Sequence, residues 1–95
     1  MYARMVIGEA VSDDQLRQFS SIYKEEIEPE LKKEPGFVST EFLLEDGGNM
    51  AVIVTAWESR ERCLQYHSSR SYRQFVAKTQ HFLLGNFVVK LFRME

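Results

Sequence analysis

The chain has 95 residues, 44% of them hydrophobic and 27% charged, with a formal net charge of −2. That length allows one domain and leaves no room for a second, and the mild acidity argues against nucleic acid or an anionic membrane as the main partner. Cys63 is the only cysteine, which excludes an internal disulfide and a thiolate metal cluster.

A chain this short hides only roughly 60–65% of its unfolded surface on folding. Yet 13% of its residues are aromatic, among them seven Phe and four Tyr, more apolar surface than a thin core needs. Self-association is a natural way to bury the excess. The N-terminal stretch has no apolar h-region, and no apolar run reaches the roughly 18–20 residues of a membrane span. The expected location is the cytoplasm.

Tyr2 to Ala10 reads as a strand, with Met5, Val6 and Ile7 at its centre. Ser12-Asp13-Asp14-Gln15 matches a capping box, and the helix after it sets Leu16, Phe19, Tyr23, Ile27 and Leu31 on one stripe. Pro29 should bend or end that helix, and Glu34-Pro35-Gly36 closes the segment as a turn. Phe37 to Leu44 is the second strand, with Val38, Thr40, Phe42 and Leu44 on one face. Glu45 to Asn49 is a hairpin loop in which Gly47 and Gly48 supply positive φ angles. Met50 to Trp57 is apolar on both faces, the mark of a central strand covered on both sides.

Ser59 caps a short helix, Arg60 to Ser68, and Ser71 caps a third from Tyr72 to about Leu84. Gly85-Asn86 ends it, and Phe87 to Met94 is the last strand. The order is β-α-β-β-α-β with the second helix broken in two: an α+β, ferredoxin-like domain with a four-stranded antiparallel sheet. Helices cover one face of that sheet only. The apolar third strand therefore points to a homodimer packed sheet to sheet.

A strand starting near residue 2, Glu34-Pro35-Gly36-Phe37 after the first helix, and Trp57-Glu58-Ser59 at the end of the third strand stand together in about 95 residues. In these features the chain resembles the antibiotic biosynthesis monooxygenase family of dimeric α+β barrels. The resemblance spans almost the whole chain, and its motifs specify the fold better than the chemistry. It implies a cavity in each subunit between sheet and helices, and cofactor-independent oxygenation of a small planar aromatic such as a quinol or anthrone. The haem-degrading branch is a poor match: strand one has no Asn, the helical Trp position falls on Tyr66, and the His position falls near Val76.

His67 is the first candidate for chemistry. Cys63 and His67 share a helical face at i, i+4, and that face should point toward the sheet. The pair offers two metal ligands at most, where a closed zinc site needs about four, so no metal site is expected. Neutral imidazole can accept a proton from a phenol or activated carbon, leaving an anion that reduces O₂ directly. The competing reading is a helix-end histidine bonded to nearby backbone. His81 falls opposite the apolar arc of its helix and is left out of the site.

Trp57 offers a stacking wall for an aromatic substrate, or equally a core plug at a strand end. Tyr23, Tyr66 and Tyr72 supply hydroxyls near the same space, of which Tyr66 or Tyr72 can orient a substrate hydroxyl, while Phe19, Phe75 and Phe82 supply apolar lining. Each of these is also the kind of residue that fills an interior. Collectively they favour a flat apolar ligand, and no Gly-rich phosphate loop or Rossmann fingerprint is present, so no cofactor is expected. Arg4, a charge on a central strand, could stabilise an anionic substrate oxygen or pair with an acid across a dimer. Glu41 and Lys90 fall on edge strands, as guards against open-ended pairing or as dimer contacts. Two other readings remain open: a non-catalytic ligand-binding module of the same fold, and isomerase or lyase chemistry with His67 as base.

Overall fold

The computed structural model describes Met1–Glu95. Four strands, β1 (Tyr2–Glu9), β2 (Phe37–Leu44), β3 (Met50–Trp57) and β4 (Val88–Arg93), form one antiparallel sheet in the order β2-β3-β1-β4. The helices are α1 (Asp13–Ile22), α2 (Glu28–Leu31), α3 (Arg60–His67) and α4 (Arg70–Thr79). They cover one face of the sheet, as the ferredoxin-like reading requires.

Serines set the helix starts. Ser12 accepts from the Gln15 amide at 3.2 Å and Ser59 from the Arg62 amide at 3.2 Å, satisfying amides that a helix cannot bond internally. The cap of α4 is Ser69 and not Ser71. The Ser69 hydroxyl accepts from the Tyr72 amide at 3.1 Å and donates to the Tyr66 carbonyl at 2.6 Å, so one side chain serves the end of α3 and the start of α4. The α4 segment also stops sooner than expected, at Thr79, and continues as a single 3-10 turn over Gln80–Phe82.

Pro29 neither ends nor breaks the first helix. A π-helical turn, Tyr23–Ile27, joins α1 to α2, and Pro29 sits in the first turn of α2, where a missing amide costs little. The buried stripe explains the wide turn. From Phe19 the steps to Tyr23, Ile27 and Leu31 are four residues each, and each overruns a 3.6-residue turn by about 40°. The wider turn returns the stripe to the core, where Phe19, Tyr23 and Leu31 are 1% exposed.

In β2 a bulge falls between Phe37 and Ser39, since Phe37 pairs with Trp57 and Ser39 with Ala56. The extra residue, Val38, leaves the face shared by Thr40 and Phe42 and is exposed. Of the two hairpin glycines only Gly47 has a positive φ, 77°. Gly36, at φ 82°, lies against the Arg62 side chain, and its carbonyl accepts from the Glu58 amide at 2.8 Å. The two motifs that carry the family resemblance thus tie to each other and fix where β2 enters and β3 leaves the sheet.

Strand register sorts the sheet faces. The helix side carries Arg4, Val6, Ile53, Thr55, Trp57, Val89 and Leu91. The open side carries the row Glu41–Val54–Met5–Lys90, flanked by Ser39–Ala56–Ala3–Phe92 and Leu43–Val52–Ile7–Val88. Nine of those twelve side chains are apolar, and Leu43, Val88 and Phe92 are 45–50% exposed.

Candidate active site

Between α3 and the β1–β4 half of the sheet lies a pocket of about 380 Å³, lined by Arg4, Cys63, Leu64, His67, Val89 and Leu91. Each wall follows from its element. Arg4 projects from β1 to the helix side, and Val89 and Leu91 do the same from β4, opposite Val6 and Arg4. Cys63 and His67 lie one turn apart on α3, which packs on β1 and β3. Four of the six lining groups are apolar.

The polar centre is a single contact. Nη2 of Arg4 donates to Nδ1 of His67 at 2.9 Å. A guanidinium can only donate, so Nδ1 accepts and the proton of the neutral ring is assigned to Nε2. Arg4 is 2% exposed, lies 4.1 Å from the Tyr72 ring centroid and 5.3 Å from that of Tyr66, and takes part in no salt bridge. The cation–π contacts offset part of its desolvation. Its Nε–H is buried without a partner, and such a donor costs about 1–3 kcal/mol.

Burial and then the Arg4 charge lower the His67 pKa below its usual 6.5, so the ring is neutral at pH 7. Burial raises the Cys63 thiol, with Arg4 pulling the other way. Tyr66 is driven upward by burial and stays protonated. Titration of His67 by NMR should give a midpoint below 6.5 that moves up in Arg4→Met. The sign for stability follows: with its folded-state pKa depressed, His67 contributes fully above pH 6.5, and the contribution is lost as pH falls through the lowered midpoint. A midpoint at or above 6.5 would contradict the Arg4 contact.

The aromatic residues read from sequence divide into two groups. Tyr66 and Tyr72 pack around Arg4, and Tyr72 also stacks on His67 at 5.3 Å between ring centroids. Trp57, Phe19, Tyr23 and Phe75 lie elsewhere. Trp57 is 0% exposed, stacked on Tyr66 at 4.9 Å and edge-on to Phe37 at 5.7 Å. Its Nε1–H donates to Thr55 Oγ1 at 2.9 Å. Phe19, Tyr23 and Phe75 pack with Phe42 in the main core. Tyr23, bonded to the Thr40 hydroxyl, is pushed up to about 12 by burial. These four fill the interior and do not line the pocket. Leu64, Val89 and Leu91 do, and sequence reasoning missed them. Their signal was the helical phase of Cys63 and His67 and the period-two face of β4 that holds Val89 and Leu91.

The family model described as antibiotic biosynthesis monooxygenase matches residues 4–78. A search of curated proteins by sequence finds no match. Among solved structures, a monooxygenase from the gene ActVA-Orf6 of Streptomyces coelicolor, in complex with nanaomycin D, superposes with a TM-score of 0.87 at 12% identity, covering 99% of this chain and 87% of that one. SnoaB, a cofactor-independent oxygenase from Streptomyces nogalater, gives 0.81 at 16% identity, with 99% and 92% covered. A putative antibiotic biosynthesis monooxygenase from Nitrosomonas europaea gives 0.82 at 14%, with 99% and 98% covered. At these identities the structural likeness establishes the fold.

Proposed function

The chain belongs to the antibiotic biosynthesis monooxygenase family, and from that premise we propose that it is a homodimeric, cofactor-independent monooxygenase of a small planar aromatic such as a quinol or anthrone. The observation that carries the reading is the Arg4–His67 contact inside an apolar pocket of about 380 Å³, within the size range of small-molecule sites.

A substrate hydroxyl entering between Nη2 of Arg4 and Nδ1 of His67 takes a hydrogen bond from the guanidinium and gives its proton to the imidazole. Arg4, itself buried, stabilises the oxyanion that forms. The neighbouring imidazole is neutral beforehand and ready to accept. The electron-rich anion passes one electron to O₂, and the radical and superoxide combine as a peroxide. Loss of water then leaves a carbonyl: for an anthrone, CH₂ plus O₂ gives C=O plus H₂O, and the substrate supplies every electron. Tyr72 orients the ring of the ligand beside His67, and Tyr66 supports Arg4 from behind. Trp57, Phe19, Tyr23 and Phe75 act at one remove, as the packing that holds this arrangement. The neighbour bound to nanaomycin D supports a flat polycyclic ligand in this fold. No helix is long and apolar enough to cross a membrane.

The test is O₂ uptake with reduced quinols and anthrones and no added cofactor. Uptake above autoxidation that falls about 100-fold in His67→Ala is the expected result, matching the usual worth of a proton acceptor. Uptake equal to autoxidation across the panel sinks the oxygenase reading and leaves a ligand-binding module.

A further inference from the structure

We infer that the pocket takes its aromatic ligand as an anion, with an ionised oxygen carried on the ring system serving as the missing counter-ion of Arg4. The inference rests on the proposed substrate site being this pocket. It concerns the charge state of what binds, and so stands or falls apart from turnover.

Arg4 is a fully buried cation whose only side-chain hydrogen-bond partner is uncharged. Buried charges are ordinarily paired, because an isolated one loses its hydration without return. The chain has 14 acidic residues, and none forms a salt bridge with Arg4. The groups that face it are Tyr66, Cys63 and His67 from α3 and Tyr72 from α4. Burial holds the Tyr66 hydroxyl and the Cys63 thiol protonated, and an imidazole is neutral or cationic, so α3 supplies no negative charge. A partner packed on the open sheet face cannot supply the acid either, because β1 presents Ala3, Met5 and Ile7 there and Arg4 to the opposite side. The cavity beside the guanidinium is the remaining place for a negative charge. Its other walls, Leu64, Val89 and Leu91, suit rings. The partnerless Nε–H lies on the same edge of the guanidinium as Nη2, so an oxyanion that displaces His67 from Nη2 meets two donors with one charge.

The test measures affinity by calorimetry at pH 7.5 for three probes: 2-hydroxy-1,4-naphthoquinone, which is anionic there, its uncharged 2-methoxy analogue, and 1-naphthoate. The hydroxyquinone should bind at least 10-fold tighter than the methoxy compound, and Arg4→Met, which keeps an apolar side chain against Tyr66 and Tyr72, should erase the difference. A hydroxyquinone tighter than the naphthoate identifies a ring oxygen as the anchor; the reverse order identifies a carboxylate. On the wild type alone, the visible spectrum of the bound hydroxyquinone should show its ionisation displaced at least 10-fold toward the anion, which keeps the test valid if Arg4→Met fails to fold. Equal affinities for the charged and uncharged probes, or a preference that survives Arg4→Met, would overturn the inference. Anion preference without O₂ uptake refutes the oxygenase and leaves the inference standing. Oxygenation of neutral quinols at wild-type rates by Arg4→Met does the opposite.

Discussion

Trp57→Ala is expected to cost about 3–5 kcal/mol, the range for emptying a large aromatic site in a core, and to lower the melting temperature by on the order of 20 °C. For a domain whose total stability is about 5–15 kcal/mol, that approaches loss of the fold. The reason is position. Trp57 is the largest of the fully buried side chains, and it sits under Tyr66, edge-on to Phe37, with its indole N–H on the Thr55 hydroxyl. Thr55 in turn donates to the Arg4 carbonyl at 3.4 Å. Removing the indole opens a void beneath the stack that carries Arg4. Trp57→Phe keeps a ring in the stack and loses one hydrogen bond, at about 1–2 kcal/mol, and should leave the affinity for pocket ligands unchanged. Thermal unfolding of both variants checks the first pair of values, and calorimetry the last. A Trp57→Phe variant as stable as wild type but defective in binding would return Trp57 to the cavity wall.

That placement shows where reading the sequence runs out. Periodicity says which side chains point inward, and it did so correctly for Leu16, Phe19, Tyr23, Ile27 and Leu31 and for Cys63, while His67 remains exposed and meets the pocket through its contact with Arg4. It has no way to distinguish an inward aromatic that fills space from one that borders space. Whether Trp57 or Leu91 lines the pocket depends on how α3 sits over β1 and β4, a matter of tertiary packing. The Arg4–His67 contact joins residues 63 positions apart and has no local signature. Arg4 stood out only as a charge in a central strand. The helix caps at Ser12 and Ser59 were legible because capping is local chemistry. Choosing Ser69 over Ser71 required knowing that the Tyr66 carbonyl lay within reach. The bulge at Val38 and the π turn before Pro29 were hidden for a related reason: both are accommodations of the chain to its neighbours, and strict periods of 2 and 3.6 do not contain them.

Val54→Asp is expected to leave the chain monomeric at concentrations where the wild type sediments as a dimer, with dissociation favoured about 100-fold or more, because each copy would bury an unpaired carboxylate at the centre of the interface. Val54 and Met5 occupy the middle of an open row that ends in Glu41 at one edge and Lys90 at the other. Two sheets packed face to face keep their strands within about 30° of each other, and a two-fold axis can then run along the strands or across them. Along the strands, Glu41 of each copy meets Lys90 of the other, and Met5 meets Val54. Across the strands, Glu41 meets Glu41 and Lys90 meets Lys90. In the proposed dimer the charges therefore favour the first arrangement, which would also guard both sheet edges against open-ended pairing. Glu41→Lys and Lys90→Glu should each weaken the dimer about 10-fold, two repulsive pairs per dimer at the modest worth of surface charges, and the double exchange should restore it. Equilibrium sedimentation reads the wild type and all four variants. Single exchanges without effect would reject the axis along the strands, and a monomeric wild type would reject the dimer itself.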